Sequence, residues 1–198
     1  MGMGEPLDNL ASVLDSLEVL TSGYGLRLSP TRITVSTIGL LPALRTFLDS
    51  TRCHLAVSLH SPFEDERRRL MPIENVHPIA SVLEELRARR ERGQRRVSFE
   101  YIVFGGLNDT PRHARELARI LGGLRCRVNL IAFHPIPGTP LLPCPREKME
   151  EFQAMLQARG LVTTIRQSRG QDIEAACGLL STRELVRSRG DGPHGEDA

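Results

Sequence analysis

The residues able to do chemistry fall into a few short clusters. Gly4-Glu5-Pro6, near the start of the sequence, is one such cluster. The run Met1 to Pro6 also resembles a phosphate-cradling loop, but no Walker lysine and no G-x-G-x-x-G follows it. Ser36, Ser58, His60 and His134 fall at or just after the ends of stretches that read as strands. Ser58 and His60 read either as a polar strand end, with the imidazole bonded to backbone, or as part of a site. Ser36 reads either as a site hydroxyl or as a strand-end group satisfying a loop amide. Glu100, between Phe99 and Tyr101, requires an arginine partner or a polar lumen, because an unpaired buried carboxylate is costly. Cys177, within Ala175-Ala176-Cys177-Gly178, is a buried inert thiol or a nucleophile given room by its small neighbours. Arg166, Arg169 and Gly170 before Asp172 form either a phosphate-holding turn or a solvated arginine cluster. No metal site is predicted within the chain: its 4 cysteines are scattered, and His54 and His60 are too far apart along one strand to chelate together.

These residues need a scaffold, and the hydrophobic pattern supplies strands alternating with helices. Leu10, Val13, Leu14 and Leu17 predict a helix that Asp8 caps and that ends near Gly23. Strands are predicted over Arg32 to Ile38, Cys53 to His60, Val97 to Phe104, Arg127 to Phe133 and Val162 to Arg166. In the second of these, Leu55, Val57 and Leu59 face one way, and His54, Ala56, Ser58 and His60 the other. Helices are predicted on Ile79, Val82, Leu83 and Leu86, with an arginine-rich end breaking at Gly93, and from Pro111 with Thr110 as cap. Two more are predicted on Met149, Phe152 and Leu156, closed by Gly160, and over Ile173 to Val186. The tail from Arg187 to Ala198 is expected to fray.

Such alternation implies an α/β fold with a parallel sheet, and 198 residues suffice for only part of an eight-stranded barrel, which typically needs about 250. A partial (β/α) barrel is expected first and an open doubly wound sheet second. In a barrel the chemistry gathers at the carboxyl ends of the strands, where the polar residues above lie. The charge, 26 Lys+Arg against 24 Asp+Glu, neither demands nor excludes an anionic partner. No apolar run is long enough to span a bilayer, the first ten residues lack signal-peptide features, and the scattered cysteines fit a reducing cytoplasm.

The collinear motifs Gly2-Met3-Gly4-Glu5-Pro6-Leu7, Arg32 to Gly39, Ser58-Leu59-His60, Arg69 to Ile73, Asn108-Asp109, Asn129 to Ile131, Pro137-Gly138 and Arg169 to Gly178 resemble the RlmN family. The resemblance runs from residue 1 to about 186. It implies the partial barrel of a radical S-adenosylmethionine (SAM) enzyme, one that methylates adenine C2 in 23S ribosomal RNA and transfer RNA. It further implies that Gly4 and Glu5 bind the amino acid part of SAM, that Ser36, Ser58, Leu59, His60 and His134 make further SAM contacts, and that Cys177 is the cysteine that becomes methylated. His134 stands where many family members have Asn. In the family, that methylated cysteine loses hydrogen to a radical made from a second SAM at a [4Fe-4S] cluster, and the resulting carbon radical adds to adenine. Adenine C2 is not nucleophilic, so a cofactor-generated radical supplies reactivity that displacement chemistry lacks.

The partners implied are 23S rRNA, tRNA and a reducing electron donor, with a monomeric cytoplasmic enzyme expected. Arg67 to Arg69 and Arg95-Arg96 are candidate RNA contacts or simply a solvated face. The family's cluster motif, C-x-x-x-C-x-x-C, belongs upstream of the Gly-Met-Gly-Glu-Pro segment. The chain therefore reads as the C-terminal part of such an enzyme, without the first strand and N-terminal accessory domain, and is expected to be inactive alone. The Cfr-like adenine C8 methyltransferases share most of the pattern. A SAM- or RNA-binding fragment is the non-enzymatic alternative.

Overall fold

The structure is a computed structural model that describes residues 4–89, 95–135 and 139–166. Five strands, β1 (Thr34–Thr37), β2 (His54–Ser58), β3 (Val97–Val103), β4 (Cys126–Ala132) and β5 (Val162–Arg166), form one sheet in chain order. Every neighbouring pair is parallel. Six helices accompany them: α1 (Leu10–Thr21), α2 (Leu41–Ser50), α3 (Glu64–Leu70), α4 (Ile79–Ala88), α5 (Pro111–Leu121) and α6 (Arg146–Gln157). Parallel neighbours need crossover connections, and each crossover here carries at least one helix.

Strand alternation gives the sheet two unlike faces. Val35, Leu55, Val57, Phe99, Tyr101, Val128 and Leu130 pack with Phe47 of α2, Val82 of α4, Leu117 of α5 and Phe152 of α6 into one apolar core. The opposite face is polar. Ser36, Ala56, Ser98 and Arg127 form one cross-strand row, and Ser58, Glu100, Asn129 and Thr164 form the next. A sheet apolar outside and polar within is what a barrel wall enclosing a hydrophilic ligand requires, and the architecture is the expected partial barrel.

Some local expectations need correction. Asp8 does not cap α1: residues Pro6–Asn9 form a short 3-10 turn capped by the Glu5 carboxylate, and the Asn9 side chain makes no capping bond. Thr110 precedes α5 without bonding its open amides, because its hydroxyl pairs with His113 Nδ1 at 2.6 Å. The arginine-rich extension of α4 stops at Ala88. Helices α2 and α3 escaped the periodicity argument; α3 has seven residues, six of them charged, with Arg67 its buried member. The expected helix Ile173 to Val186 and the frayed tail lie outside the described residues.

Among the described glycines held in conformations that L side chains rarely adopt, two bear on the site. Gly4 has φ +89°, just before Glu5, and Gly39 has φ +100°, at the exit of β1, where an added Cβ would lie 2.9 Å from Val82 Cγ2. Among the described residues, no helix is long and apolar enough to cross a membrane.

Candidate active site

Glu5 is locked at the carboxyl end of β1. Its Oε1 accepts from Thr37 Oγ1 at 2.6 Å and from the Leu7 amide at 3.1 Å, and its Oε2 accepts from the Ile38 amide at 2.8 Å. Three donors from two segments fix the carboxylate, which retains lone pairs for a cationic ligand. Gly4, exposed beside it, leaves open space where a side chain would stand.

The exit of β2 supplies the next groups. Ser58 lies on the polar face in register with Glu100. Leu59 is fully buried with the core, and its amide donates to the Glu100 carbonyl at 2.9 Å. His60 has φ +57°, a left-handed conformation unusual outside glycine, which swings it off the strand. Its Nδ1 accepts from the Ile102 amide at 3.1 Å, and its carbonyl accepts from Asn108 Nδ2 at 2.7 Å. The backbone bond that a merely structural histidine would make is therefore present. Burial, reinforced by the Arg67 cation, pushes the imidazole down to about 4, so the ring is neutral at pH 7. With Nδ1 accepting, the proton sits on Nε2, which becomes a donor.

Arg67 holds this exit from beneath and is no RNA contact. It is wholly buried and paired with Glu74, and it donates to the carbonyls of Leu59 at 3.2 Å, Ser58 at 3.1 Å and Ile38 at 3.3 Å. One guanidinium thus ties the ends of β1 and β2 together. Arg95 is likewise structural, donating to the Leu48 and Thr51 carbonyls at the end of α2 and lying over the Phe47 ring. Arg68 is paired with Glu64 on the surface.

Asn108 performs a matching task at β3. Its Nδ2 reaches the His60 and Ile102 carbonyls and its Oδ1 takes the Phe104 amide, so a fully buried amide joins two strand exits. Next to it, Asp109 Oδ2 is met by Lys148 Nζ at 3.1 Å, the Gly106 amide at 3.1 Å and Cys144 Sγ at 3.5 Å, clasping the start of α5 to α6.

Within the sheet's polar face is a cavity of about 500 Å³. Glu100, only 1% exposed, is its one acidic lining residue. Its Oε1 accepts from Ser98 Oγ at 3.0 Å and Asn129 Nδ2 at 2.8 Å, and its Oε2 meets Arg166 Nη1 at 3.3 Å. Thr164 donates to Asn129 Oδ1 at 2.7 Å, completing the network. Glu100 has both the arginine and the polar lumen that its position in the sequence demanded. Ser36 lines the same cavity, and half-buried His134 follows β4.

Ser36 therefore lines the cavity, while Glu5, Ser58 and His60 gather at the carboxyl ends of β1 and β2, whereas Cys177 and Pro137-Gly138 lie outside the described residues. Sequence reasoning offered Arg67 only as an RNA contact or a solvated residue, and it gave Asn129, part of a family motif, no role in the site. The alternation of polar Arg127 and Asn129 with Val128 and Leu130 is the signal that marks the latter. A [4Fe-4S] cluster does not fit the described residues. Cys53 is buried in the core, burial pushes the Cys126 and Cys144 thiols up to about 11, and among the described residues no three metal-ligating groups converge.

A polar-lined parallel sheet with a carboxylate anchored at the mouth is the architecture of radical SAM enzymes. The fold superposes on the crystal structure of a radical SAM methyltransferase from Sphaerobacter thermophilus with a TM-score of 0.85 and 41% identity, covering 90% of this chain and 53% of that one. A domain of a pyruvate-formate lyase-activating enzyme from Bacteroides vulgatus shares the fold at a TM-score of 0.61 and 18% identity. No family model matches the chain. Curated relatives named dual-specificity RNA methyltransferase RlmN are 59% identical over 188 residues in Porphyromonas gingivalis, 54% over 186 in Parabacteroides distasonis and 42% over 185 in Bacillus pumilus. The chain is homologous to these RlmN proteins over about 95% of its own length. Its matched region is about 95% of its own length and 55% of the Porphyromonas gingivalis relative, so it spans about half the length of the curated relatives.

Proposed function

We propose that this chain forms the SAM-binding wall and carries the methyl-accepting cysteine of an RNA methyltransferase that modifies C2 of an adenine in 23S rRNA and tRNA. The observation that carries the reading is the fixed Glu5 carboxylate at the carboxyl end of a polar-lined parallel sheet, in a chain 59% identical to a named RlmN protein. SAM carries an α-ammonium group, and Glu5 with Gly4 receives it. Ser36, Ser58 and His134 offer polar contacts, His60 offers its Nε2 proton, and Leu59 contributes backbone. Cys177 is the methyl acceptor, its thiolate displacing the sulfonium leaving group.

When bound, the cluster of the family supplies the electron that makes radical chemistry available from SAM; its ligands are not among the described residues. The partners in this reading are 23S rRNA, tRNA and a reducing electron donor. The enzyme works as a monomer in the cytoplasm.

Calorimetric titration with SAM tests the site without requiring the cluster. Wild-type chain is expected to bind, and Glu5→Gln to bind at least about tenfold more weakly, because a hydrogen-bonded charge pair typically contributes roughly 1.5–3 kcal/mol. Equal affinity in both proteins would sink the assignment. The target carbon is read separately from digested RNA of cells lacking the gene: loss of 2-methyladenosine supports this reading, and loss of the 8-methyl isomer establishes the Cfr-like one.

A further inference from the structure

The cavity carries a charge imbalance that SAM anchoring at Glu5 does not use. Three arginines line it, Arg96, Arg127 and Arg166, against one carboxylate, Glu100. Among the described residues, Arg96 and Arg127 meet no acidic partner; the cavity's His54 accepts the Arg96 amide on Nδ1, and burial and the neighbouring arginines hold its ring below the usual imidazole range. Arg166 spends one nitrogen on buried Glu100 and is otherwise 54% exposed, at the carboxyl end of β5. Among the described residues, its row mates are Ile131 and Ile102, apolar neighbours that offer its remaining N–H groups nothing to bond.

We infer that the polar lumen is an oxyanion-binding cavity in which Arg166, oriented by Glu100, takes a phosphodiester of the RNA substrate. The inference rests on the reading of the chain as an RNA methyltransferase. Arg166 stands apart from the amino acid anchor: β1 and β5 are four strand spacings apart, about 19 Å along the sheet, so the ammonium seated at Glu5 is not its partner. A planar guanidinium fixed on one edge by a carboxylate presents its other edge to a phosphate, the geometry that suits bidentate recognition. Glu100 is the positioning residue. Its own side chain is too deeply buried to meet RNA, and its bonds to Ser98 and Asn129 set the angle from which Arg166 projects.

Fluorescence anisotropy with a labelled adenine-containing RNA hairpin, read across a salt series beside SAM calorimetry, tests the proposal on the whole chain. Arg166→Gln is expected to weaken RNA binding about tenfold and to reduce the salt slope by about one, with SAM affinity unchanged. Arg166→Lys should recover part of the affinity and the full slope. Glu100→Gln should weaken RNA binding less than Arg166→Gln does, and Arg166 is exposed enough for its variants to fold whatever becomes of Glu100→Gln. Unchanged RNA affinity and slope in Arg166→Gln would overturn the proposal, as would a loss confined to SAM. A wild-type chain without RNA affinity would instead bring down the underlying functional reading, and this inference with it.

Discussion

At the scale of single residues, the mouth depends on two buried polar groups whose roles differ. Arg67 has no solvent contact and four protein partners, so Arg67→Ala would leave the buried Glu74 carboxylate without its cation, with only the Ile79 amide, and would remove a donor from three carbonyls. Breaking a buried pair in this way costs about 3–5 kcal/mol, and a urea melt should show it as a fall in midpoint without a change of slope. His60 makes a pH-dependent contribution. Its folded pKa, about 4, lies below the usual imidazole value of 6.5, so between those values the unfolded chain binds the proton more readily. The stabilisation is complete above about pH 6.5 and falls as pH drops toward 4, by up to about 1.4 kcal/mol per pH unit. Asparagine tolerates the left-handed backbone at this position, so His60→Asn should fold, and the difference between its stability profile and that of wild type isolates the imidazole.

At the scale of elements, the strands were readable because their chemistry is local. β-Branched runs and the alternation of Leu55, Val57 and Leu59 with His54, Ala56 and Ser58 place five strands within two residues of their observed ends. Helix α3 was not readable, since a run of charged residues looks solvated until Glu74 and three strand-end carbonyls are brought around Arg67. The candidate site divides in the same way: Glu5, Ser58 and His60 announce themselves by type and position. Asn108 gains its meaning as a clasp only when β2 and β3 lie side by side. Gly39 joins the two levels, since its φ of +100° turns the chain from β1 toward α2 while Val82 of α4 closes over it. Gly39→Ala combines a disfavoured backbone with a 2.9 Å contact and should lower stability by at least about 1 kcal/mol, measurable as a drop in melting temperature.

At the scale of the molecule, the division of the sheet into an apolar and a polar face separates folding from binding. The apolar face is covered by helices, while the polar face surrounds a cavity with arginines at both ends of its strands. Ligand that binds only the folded form must stabilise it by mass action. SAM at about 100 times its dissociation constant should therefore raise stability by roughly 2.7 kcal/mol, and thermal unfolding followed with and without SAM would record the shift. The shift should fall to about half, roughly 1.4 kcal/mol, in Glu5→Gln and persist in full in Arg166→Gln; a SAM shift equally reduced in both would place the amino acid group elsewhere in the lumen.

The clasp between α5 and α6 also makes the protein a chemically addressable object. Lys148 is the only lysine in the sequence, and Asp109, by its hydrogen bond and its charge, raises the ammonium's pKa. An acylating reagent thus meets one side-chain amine, whose reactive neutral fraction the pair with Asp109 lowers. Acylation there would leave Asp109, whose Oδ1 is already bare of partners, with only an amide and a thiol to satisfy it. The labelling rate at Lys148 consequently rises when its pair with Asp109 breaks, and its dependence on urea reports the opening of this one corner of the protein.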